Sequence, residues 1–449
     1  MGAITHEIKE DRFILSDRGR NRFIGMIVIG LILLGVGLLL AHFFPAEHHG
    51  AEAAHGAAAA TDHAQSAGAH AGAGGGAGKE HHGPTVWTRL WANLWLNNVF
   101  FTGVALIGVF FLAVQYVAYA GWSVMVKRIL EALPAYLWVG GPLMLLIFLF
   151  GHHDIFHWTH EGIATEGSAN YDPIIAGKTG YLNQPFYYLR MVVYFIIWIG
   201  FWYLLRKESI QEDLDGNISH YKKSIKFSAV FLVLFGVTSS TSAWDWVLSI
   251  DTHWFSTMFG WYVFSSWFVS GLAATTLIAI NLKQMGYLPF LNSNHLHDLG
   301  KFVFAFSIFW TYIWFSQFML IWYANIPEES IYFTQRLGGW ENHYTWLLFV
   351  NLFVNFAFPF LVLMTRDAKR QMIMLKIVMV VVLAGHWSDF YLMVMPGTMK
   401  GEAGFGLIEI GCMLAFLGTF LLMLGKALSK ANLTPINHPF LDESIHHTV

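Results

Sequence analysis

Residues 237–258 read VTSSTSAWDWVLSIDTHWFSTM and join two long apolar segments of the chain. The first segment contains a run of polar residues: Ser239, Ser240, Thr241, Ser242 and Asp245. Asp251 and His253 follow in the short connection. Ionisable side chains at membrane depth are costly in hydrocarbon, so they normally face a bundle interior or a water-filled path and mark transport or redox chemistry. The stretch therefore predicts a helical membrane protein whose chemistry lies near this connection.

The composition excludes several classes of protein. Of the 449 residues, 55% are apolar and only 12% are charged, whereas charged residues make up about 25% of a soluble domain. The net charge is -3, and no basic tract points to nucleic acid. Cys412 is the only cysteine, which excludes an intramolecular disulfide, a CxxC redox pair, a cysteine-ligated iron–sulfur cluster and a CxxCH haem c site.

The sequence predicts an all-α polytopic membrane protein with ten transmembrane helices. A helix crosses a bilayer with about 20 apolar residues, and the sequence lacks the alternation that barrel strands require. The first span is longer than the roughly 7–15 apolar residues of a secretory signal, so we expect it to be retained as an anchor. The predicted spans are 23–44, 98–120, 134–151, 186–205, 227–248, 255–281, 301–324, 344–365, 372–395 and 405–427.

Lysine and arginine are distributed unevenly between the connections. If the N-terminus lies inside, 20 of the 26 lysines and arginines fall in inner segments. Because cytoplasmic segments carry the excess of these residues, both termini are predicted to be cytoplasmic.

A weak internal repeat divides the spans into two four-helix bundles, spans two to five and six to nine, with the first and last spans as flanking helices. Span five ends in AWDW and span nine carries HWSDF, four helices later. Such repeats are common in membrane carriers, although chance is the alternative in a chain so rich in tryptophan. The predicted segments are a cytoplasmic N-terminal segment (1–22), the first transmembrane helix (23–44), an outer Ala/Gly/His-rich loop (45–86), the first bundle (87–248), the second bundle (249–395), the tenth transmembrane helix (396–430) and a cytoplasmic tail (431–449).

Four polar segments connect or follow the spans. The composition of the 45–86 loop cannot form a core, so a mobile linker is predicted. Metal capture is the alternative, but the histidine spacings match no compact site. Residues 152–184 are expected to form an outer cap, 208–219 a solvated inner loop, and 431–449 an inner surface or partner contact. The loop histidines are His48, His49, His55, His63, His70, His81 and His82.

Intrinsic haem b would require two histidines on facing helices at matching depth. Only His386 lies well inside a span, while His42, His152 and His153 lie at outer ends. The sequence therefore predicts no intrinsic haem or metal centre.

Four ionisable residues lie in the outer half of the spans. Asp245 and Glu409 are each about one turn from an outer end. His386 and Asp389 are three residues apart, so they share a helix face and can form a proton-exchanging pair. A structural hydrogen-bonding role is the alternative for each of the four.

Further polar residues at the same level complete a candidate quinol site or proton path. A quinol would need aromatic walls, a base for each hydroxyl and a route to water. The principal candidates are His153, Asp154, Asp245, Asp251, His253, His386, Asp389 and Glu409. A secondary polar path, for which helix–helix contact is the alternative role, comprises Ser239, Ser240, Thr241, Ser316, Gln317, Asn351 and Asn355.

Three stretches carry a resemblance to a known family: SAWDWVLSIDTHWFSTMFGW (242–261), HDLGKFVFAFSIFWTYIWFSQFMLIWYANIPEE (297–329) and GHWSDF (385–390). Here the chain resembles the NrfD/PsrC-type membrane subunits of bacterial respiratory complexes. More narrowly, it is similar to those of alternative complex III, a quinol:electron-acceptor oxidoreductase. The short length and the His-rich outer loop are similar to the second of the two quinone-binding paralogues in that complex.

The resemblance implies a subunit without its own metal centre in the bacterial inner (cytoplasmic) membrane. Quinone or menaquinone would be the ligand at the outer face, and iron–sulfur and haem c centres would lie on partner subunits, beside an NrfD-like paralogue. In the family the principal quinol site is attributed to that paralogue. The positions expected for quinol or proton-path residues are His153, Asp154, Asp245, Asp251, His386 and Asp389.

Two functions from different classes remain open. In the first, the chain contributes to quinol interaction or proton translocation within the oxidoreductase complex. In the second, it is a scaffold that docks the redox subunits. A stand-alone transporter is disfavoured because no span is broken by paired Gly/Pro kinks.

Overall fold

A computed structural model describes residues 11–43, 84–339, 342–400 and 404–448. The seven loop histidines, and with them the predicted linker or metal site, lie outside the described residues. Within those residues all regular structure is helical, apart from one isolated bridge between Arg12 and Asn432.

Ten helices of the described residues are long and apolar enough to cross a membrane, which confirms the predicted number. Helix α3 contains a 3₁₀ turn at Leu133–Tyr136, and α8 contains a π-helical turn at Phe353–Ala357. The ten helices are α1 (Asp17–Phe43), α2 (Val86–Val117), α3 (Lys127–Ile155), α4 (Gln184–Asp215), α5 (Ile218–Ile250), α6 (Phe259–Gln284), α7 (Ser293–Ala324), α8 (Tyr344–Val362), α9 (Met372–Met399) and α10 (Leu407–Leu428).

Several helices are longer than their apolar runs. Helix α2 begins twelve residues before its predicted span, at Val86, where the Thr85 side chain caps the helix and exchanges hydrogen bonds with Thr88. Helix α4 continues to Asp215, and Gly216 ends it with a φ of 67°. These helices continue beyond their apolar runs into polar sequence. Capping residues, and not the limits of the apolar run, determine where a helix begins and ends.

The prediction of a solvated loop at 208–219 is wrong. Glu208 and Glu212 lie within α4 and are buried. Glu212 accepts a hydrogen bond from Lys127 Nζ at 3.1 Å, and Glu208 contacts His220 at 2.6 Å. These acids are polar in the sequence but buried in the fold because each has a partner on a neighbouring helix.

Helices α2 and α6 are the most buried of the ten. Helix α2 packs against α3, α5, α6, α9 and α10, and α6 packs against α5, α7 and α9 as well. The hydrophobic core is therefore continuous through the molecule.

Helices α1 and α10 pack closely through glycine. A Cβ on Gly30 would lie 2.6 Å from the Ala415 nitrogen, and one on Gly411 would lie 2.6 Å from the Leu34 nitrogen. Gly37 and Gly418 make similar approaches one heptad further along. Small residues allow such close helix contact in membranes, and this contact holds α1, whose other faces are largely exposed.

The two ends of the molecule differ. We call the end of the molecule where α1 begins the terminal end. The C-terminal segment pairs with the N-terminal segment at this end, and the Leu433 nitrogen donates to the Asp11 carbonyl at 2.8 Å. The segment continues across this end to His447, which contacts Asp298 at the start of α7 at 2.6 Å. We call the opposite end the loop end, and it contains the connections around residues 156–183 and 251–258.

Candidate functional site

A cavity of about 500 Å³ opens at the loop end, and we call it the vestibule. It brings together four of the predicted site residues, His153, Asp154, Asp251 and His253. They come from distant parts of the chain, since the first two end α3 and the others lie between α5 and α6. Its remaining polar lining includes Thr85, Thr88, His157, His160, Thr252, Gln335, Thr398 and Lys400.

Histidine rings line the vestibule in succession. The ring centres of His153 and His160 are 5.4 Å apart, those of His160 and His157 are 5.0 Å apart, and those of His157 and His253 are 6.5 Å apart. His253 ends the series with an Nε2 contact of 2.6 Å to Asp172. Burial, and then the neighbouring imidazoles His160 and His253, lower the pKa of His157. Protonation of His157 is therefore less favourable than protonation of a solvated imidazole.

The floor of the vestibule contains an ion pair and an aromatic stack. Arg336 Nη2 lies 3.3 Å from Asp251 Oδ2. The Arg336 guanidinium lies 3.4 Å over the Tyr332 ring, and the Tyr332 ring stacks on Trp254 at 4.0 Å. Burial raises the pKa of Asp251, and the opposing effect of Arg336 only partly offsets it. A buried carboxyl group of this kind releases its proton less readily than a solvated one.

A second, small cavity lies behind this floor. Tyr332 lines both cavities, while Arg336, Asp389, Tyr262 and Asn351 line the small one. The space for water there is about 10 Å³, close to the minimum for one water molecule. The vestibule and Asp389 are thus separated by a single layer of side chains.

Asp389 lies fully buried at the small cavity. The Tyr262 hydroxyl donates to Oδ1 at 2.5 Å, and Trp310 Nε1 donates to Oδ2 at 2.9 Å. His386 Nδ1 is 3.9 Å from Oδ2, which confirms that the two residues share a helix face. Within the described part of the chain, no lysine or arginine nitrogen forms an ion pair with this carboxylate.

His386 lies near the centre of α9, about 20 Å from each end at about 1.5 Å of rise per residue. Its Nδ1 is 3.0 Å from the Ser266 hydroxyl on α6. Its Nε2 is buried and has no hydrogen-bond partner among the described residues. This nitrogen is therefore available to a water molecule or an exchanging proton.

Asn355 is another buried polar side chain beside α9, next to Gly385. It lies in the π-helical turn of α8, is fully buried, and contacts the Gly385 position on α9. Neither polar atom of its amide has a partner among the residues that the structure describes. Asn351, one turn away, donates to the Gly385 carbonyl at 2.9 Å and to the Ser388 hydroxyl at 3.0 Å. π-Helical turns occur frequently at functional sites.

Asp245 lies apart from both cavities, in a buried ion pair. Arg190 donates to it through Nε at 2.8 Å and Nη2 at 2.9 Å, and the Tyr194 hydroxyl donates at 2.8 Å. The guanidinium also lies 3.9 Å from the Tyr181 ring centre. This geometry favours the structural alternative for Asp245, since a bidentate pair fixes both side chains.

Glu409 is held in the same way. Arg89 donates to its two oxygens at 2.7 and 2.6 Å, and Asn93 Nδ2 donates at 3.0 Å. The Gly406 nitrogen, at the start of α10, donates to it at 2.7 Å. Glu409 therefore caps α10 and joins α10 to α2.

The secondary polar path divides into two sets. Ser240, Thr241 and Ser316 donate their hydroxyls to carbonyls of their own helices, at 3.1, 2.9 and 2.6 Å. These bonds fit the helix-packing alternative. Gln317 accepts from the Ser256 hydroxyl at 2.9 Å, and Ser239 is buried. Of the predicted path residues, Asn351 and Asn355 are the two that lie beside α9 near Asp389.

Sequence reasoning missed Arg336, Tyr262 and Trp310. In the sequence, Arg336 is one of the six lysines and arginines outside the inner segments. In the structure it is buried between the two cavities. Tyr262 and Trp310 resemble the many other aromatic residues of a membrane protein. Trp310 lies three residues after Ser307, a spacing that places both polar groups on one face of α7. This spacing is the signal in the sequence that could have identified Trp310.

Among the described residues, no group of three or more His, Cys, Asp or Glu side chains is arranged to hold a metal ion. Neither the family models nor the curated proteins compared with this chain give a match.

Proposed function

We propose that this chain is an integral membrane subunit of a quinol-oxidising respiratory complex of the alternative complex III type. In this proposal it transfers protons between the loop-end vestibule and the Asp389–His386 pair. One observation carries the proposal. The fully buried Asp389 accepts bonds from neutral donors and lies beside an imidazole whose Nε2 has no hydrogen-bond partner among the described residues.

The contrast between the buried acids supports this assignment. Asp245 and Glu409 each face an arginine through two short bonds, and loss of the negative charge would leave a buried cation unpaired. Asp389 faces Tyr262 and Trp310, which are neutral donors, so neither protonation state leaves an uncompensated arginine. Of these three acids, Asp389 is therefore the one suited to exchanging a proton.

The two cavities support a route to this site. Asp251 and the vestibule histidines provide exchangeable groups on the open side. Tyr332 separates them from the small cavity, where there is room for about one water molecule beside Asp389. A relay needs groups within hydrogen-bond reach or joined by one water, and in this proposal Tyr332 and a water in the small cavity complete the relay.

We also propose that helices α2 to α5 and α6 to α9 form two four-helix bundles and that both termini are cytoplasmic. Helices α2 to α5 contact one another in a ring, as do α6 to α9, which supports the two-bundle grouping. The excess of lysine and arginine on the terminal end supports its location in the cytoplasm. The vestibule would then face the outer side of the bacterial membrane.

Quinol contact is proposed at that outer side. Ile155, Ile250 and Trp254 line the vestibule with apolar side chains. His153, Asp154 and Asp251 provide hydrogen-bonding groups. In this proposal electrons pass to iron–sulfur and haem c groups on partner subunits, as the family resemblance implies.

The scaffold remains the second candidate, and the two ion pairs favour it. Arg190–Asp245 and Arg89–Glu409 stabilise helix contacts without any need for proton exchange. A scaffold, however, gives no reason for a buried carboxylate that lacks a cationic partner.

The test is Asp389→Asn in the assembled complex, with protons released per quinol as the measurement. We expect the ratio to fall while quinol still binds. The matched control is Asp442→Asn, the same change at an exposed terminal-end position, which should leave the ratio unchanged. Normal turnover and an unchanged ratio in Asp389→Asn would favour the scaffold.

A further inference from the structure

Arg336 is held in place by backbone carbonyls. Its Nε donates to the Leu392 carbonyl at 2.8 Å, Nη1 to the Tyr332 carbonyl at 2.8 Å, and Nη2 to the Met393 carbonyl at 3.2 Å. The residue is 2% exposed and ends the short helix Pro327–Arg336. Because arginine stays protonated in proteins, these bonds place a fixed positive charge between the two cavities.

The same residue forms part of a rigid partition. The Arg336 guanidinium lies over the Tyr332 ring, and the Trp254 ring stacks on the same tyrosine. Trp254 is itself anchored, since its Nε1 donates to the Glu329 carbonyl at 2.9 Å. A species that passes from the vestibule to Asp389 at Tyr332 therefore crosses next to the Arg336 charge.

Protons and metal cations meet different obstacles at this partition. A proton that reaches Asp389 forms a neutral carboxyl group and needs no added space. A sodium ion needs several oxygen ligands, but both Asp389 oxygens already accept bonds from the hydroxyl of Tyr262 and the indole of Trp310. The cavity holds about one water molecule, and the Arg336 charge repels a metal cation at short range.

We infer that Arg336 is a selectivity residue, which keeps Na⁺ and K⁺ away from Asp389 and leaves that carboxylate to protons. An arginine beside a narrow path is an established way to build an electrostatic barrier against cations. Asp251 faces the same guanidinium from the vestibule side. The other charged or titratable groups that line the vestibule are His153, Asp154, His157, His160, His253 and Lys400. The inference rests on the proposed proton-handling role of Asp389.

The test uses the purified full-length chain and the infrared band of the protonated Asp389 carboxyl group, identified by its loss in Asp389→Asn. The band is measured at fixed pH while NaCl replaces choline chloride at constant ionic strength. In the wild-type chain the band should not change. In Arg336→Gln we expect Na⁺ to displace protons, with about a twofold loss of the band or more.

Two further variants keep the test decisive. Asp251→Asn removes the vestibule carboxylate but keeps the Arg336 charge, so it should remain insensitive to Na⁺. Arg336→Lys keeps a positive charge at this position but cannot reproduce the fork of bonds to the Leu392 and Met393 carbonyls, so it should also remain insensitive to Na⁺.

Insensitivity of Arg336→Gln, or sensitivity of the wild-type chain, of Arg336→Lys or of Asp251→Asn, would overturn the selectivity role alone. If no titrating band is lost in Asp389→Asn, the proposed function fails, and the selectivity role fails with it.

Discussion

Asp245→Asn and Asp389→Asn are the same chemical change at two buried sites, and the structure predicts opposite consequences for stability and function. Asp245→Asn leaves Arg190 buried without a negative partner and turns one Asn amide hydrogen toward a guanidinium hydrogen. Breaking a buried ion pair in this way costs about 3–5 kcal/mol. Asp389→Asn weakens the bonds from Tyr262 and Trp310, and a bond to a charged group contributes about 1.5–3 kcal/mol.

The assay is unfolding of the purified full-length chain in detergent, followed by the fluorescence of its 19 tryptophans. Asp245→Asn should be the less stable variant, by up to about 3 kcal/mol. Asp442→Asn, at an exposed position, is the control and should stay within about 0.5 kcal/mol of the wild-type chain. A reversed order, with Asp389→Asn the less stable variant, would refute the distinction between a structural and an exchanging carboxylate.

Three further predictions follow from other contacts. Glu409→Gln should cost about 3–5 kcal/mol of unfolding free energy, because Arg89 loses its negative partner and keeps at most one of its two short bonds; a loss below about 1 kcal/mol in the same unfolding assay would contradict this. His157 has a lowered pKa in the folded chain, so the unfolded chain binds more protons and stability should fall as pH drops below about 6.5. His157→Gln should reduce that fall in a pH series of unfolding curves, and an unchanged slope would count against the assignment. Gly30→Leu should separate α1 from α10, since its Cβ would already meet the Ala415 nitrogen, and cysteine cross-linking between the two helices should then decrease; unchanged cross-linking would argue against the close helix contact.

The sequence predicted the number of membrane helices because hydropathy is a local property. It also predicted that His386 and Asp389 share a face, since a spacing of three fixes this in any α-helix. The helix ends were less predictable. Capping by Thr85 and the buried acids of α4 depend on partners that hydropathy does not describe.

The partners of the buried acids could not be predicted from the sequence. Arg190 and Asp245 are 55 residues apart, and only tertiary packing decides that they pair. The same is true of Arg336, which in the sequence is one outer positive charge among six. Its position between Asp251 and Asp389 depends on how the Pro327–Arg336 helix packs against α9.

The most direct test of proton handling is the infrared difference spectrum of the assembled complex, recorded between the oxidised state and the state after quinol addition. The account predicts a carboxyl band that changes on quinol addition and is absent in Asp389→Asn but retained in Asp245→Asn. A spectrum in which Asp389→Asn leaves every carboxyl band unchanged would contradict it.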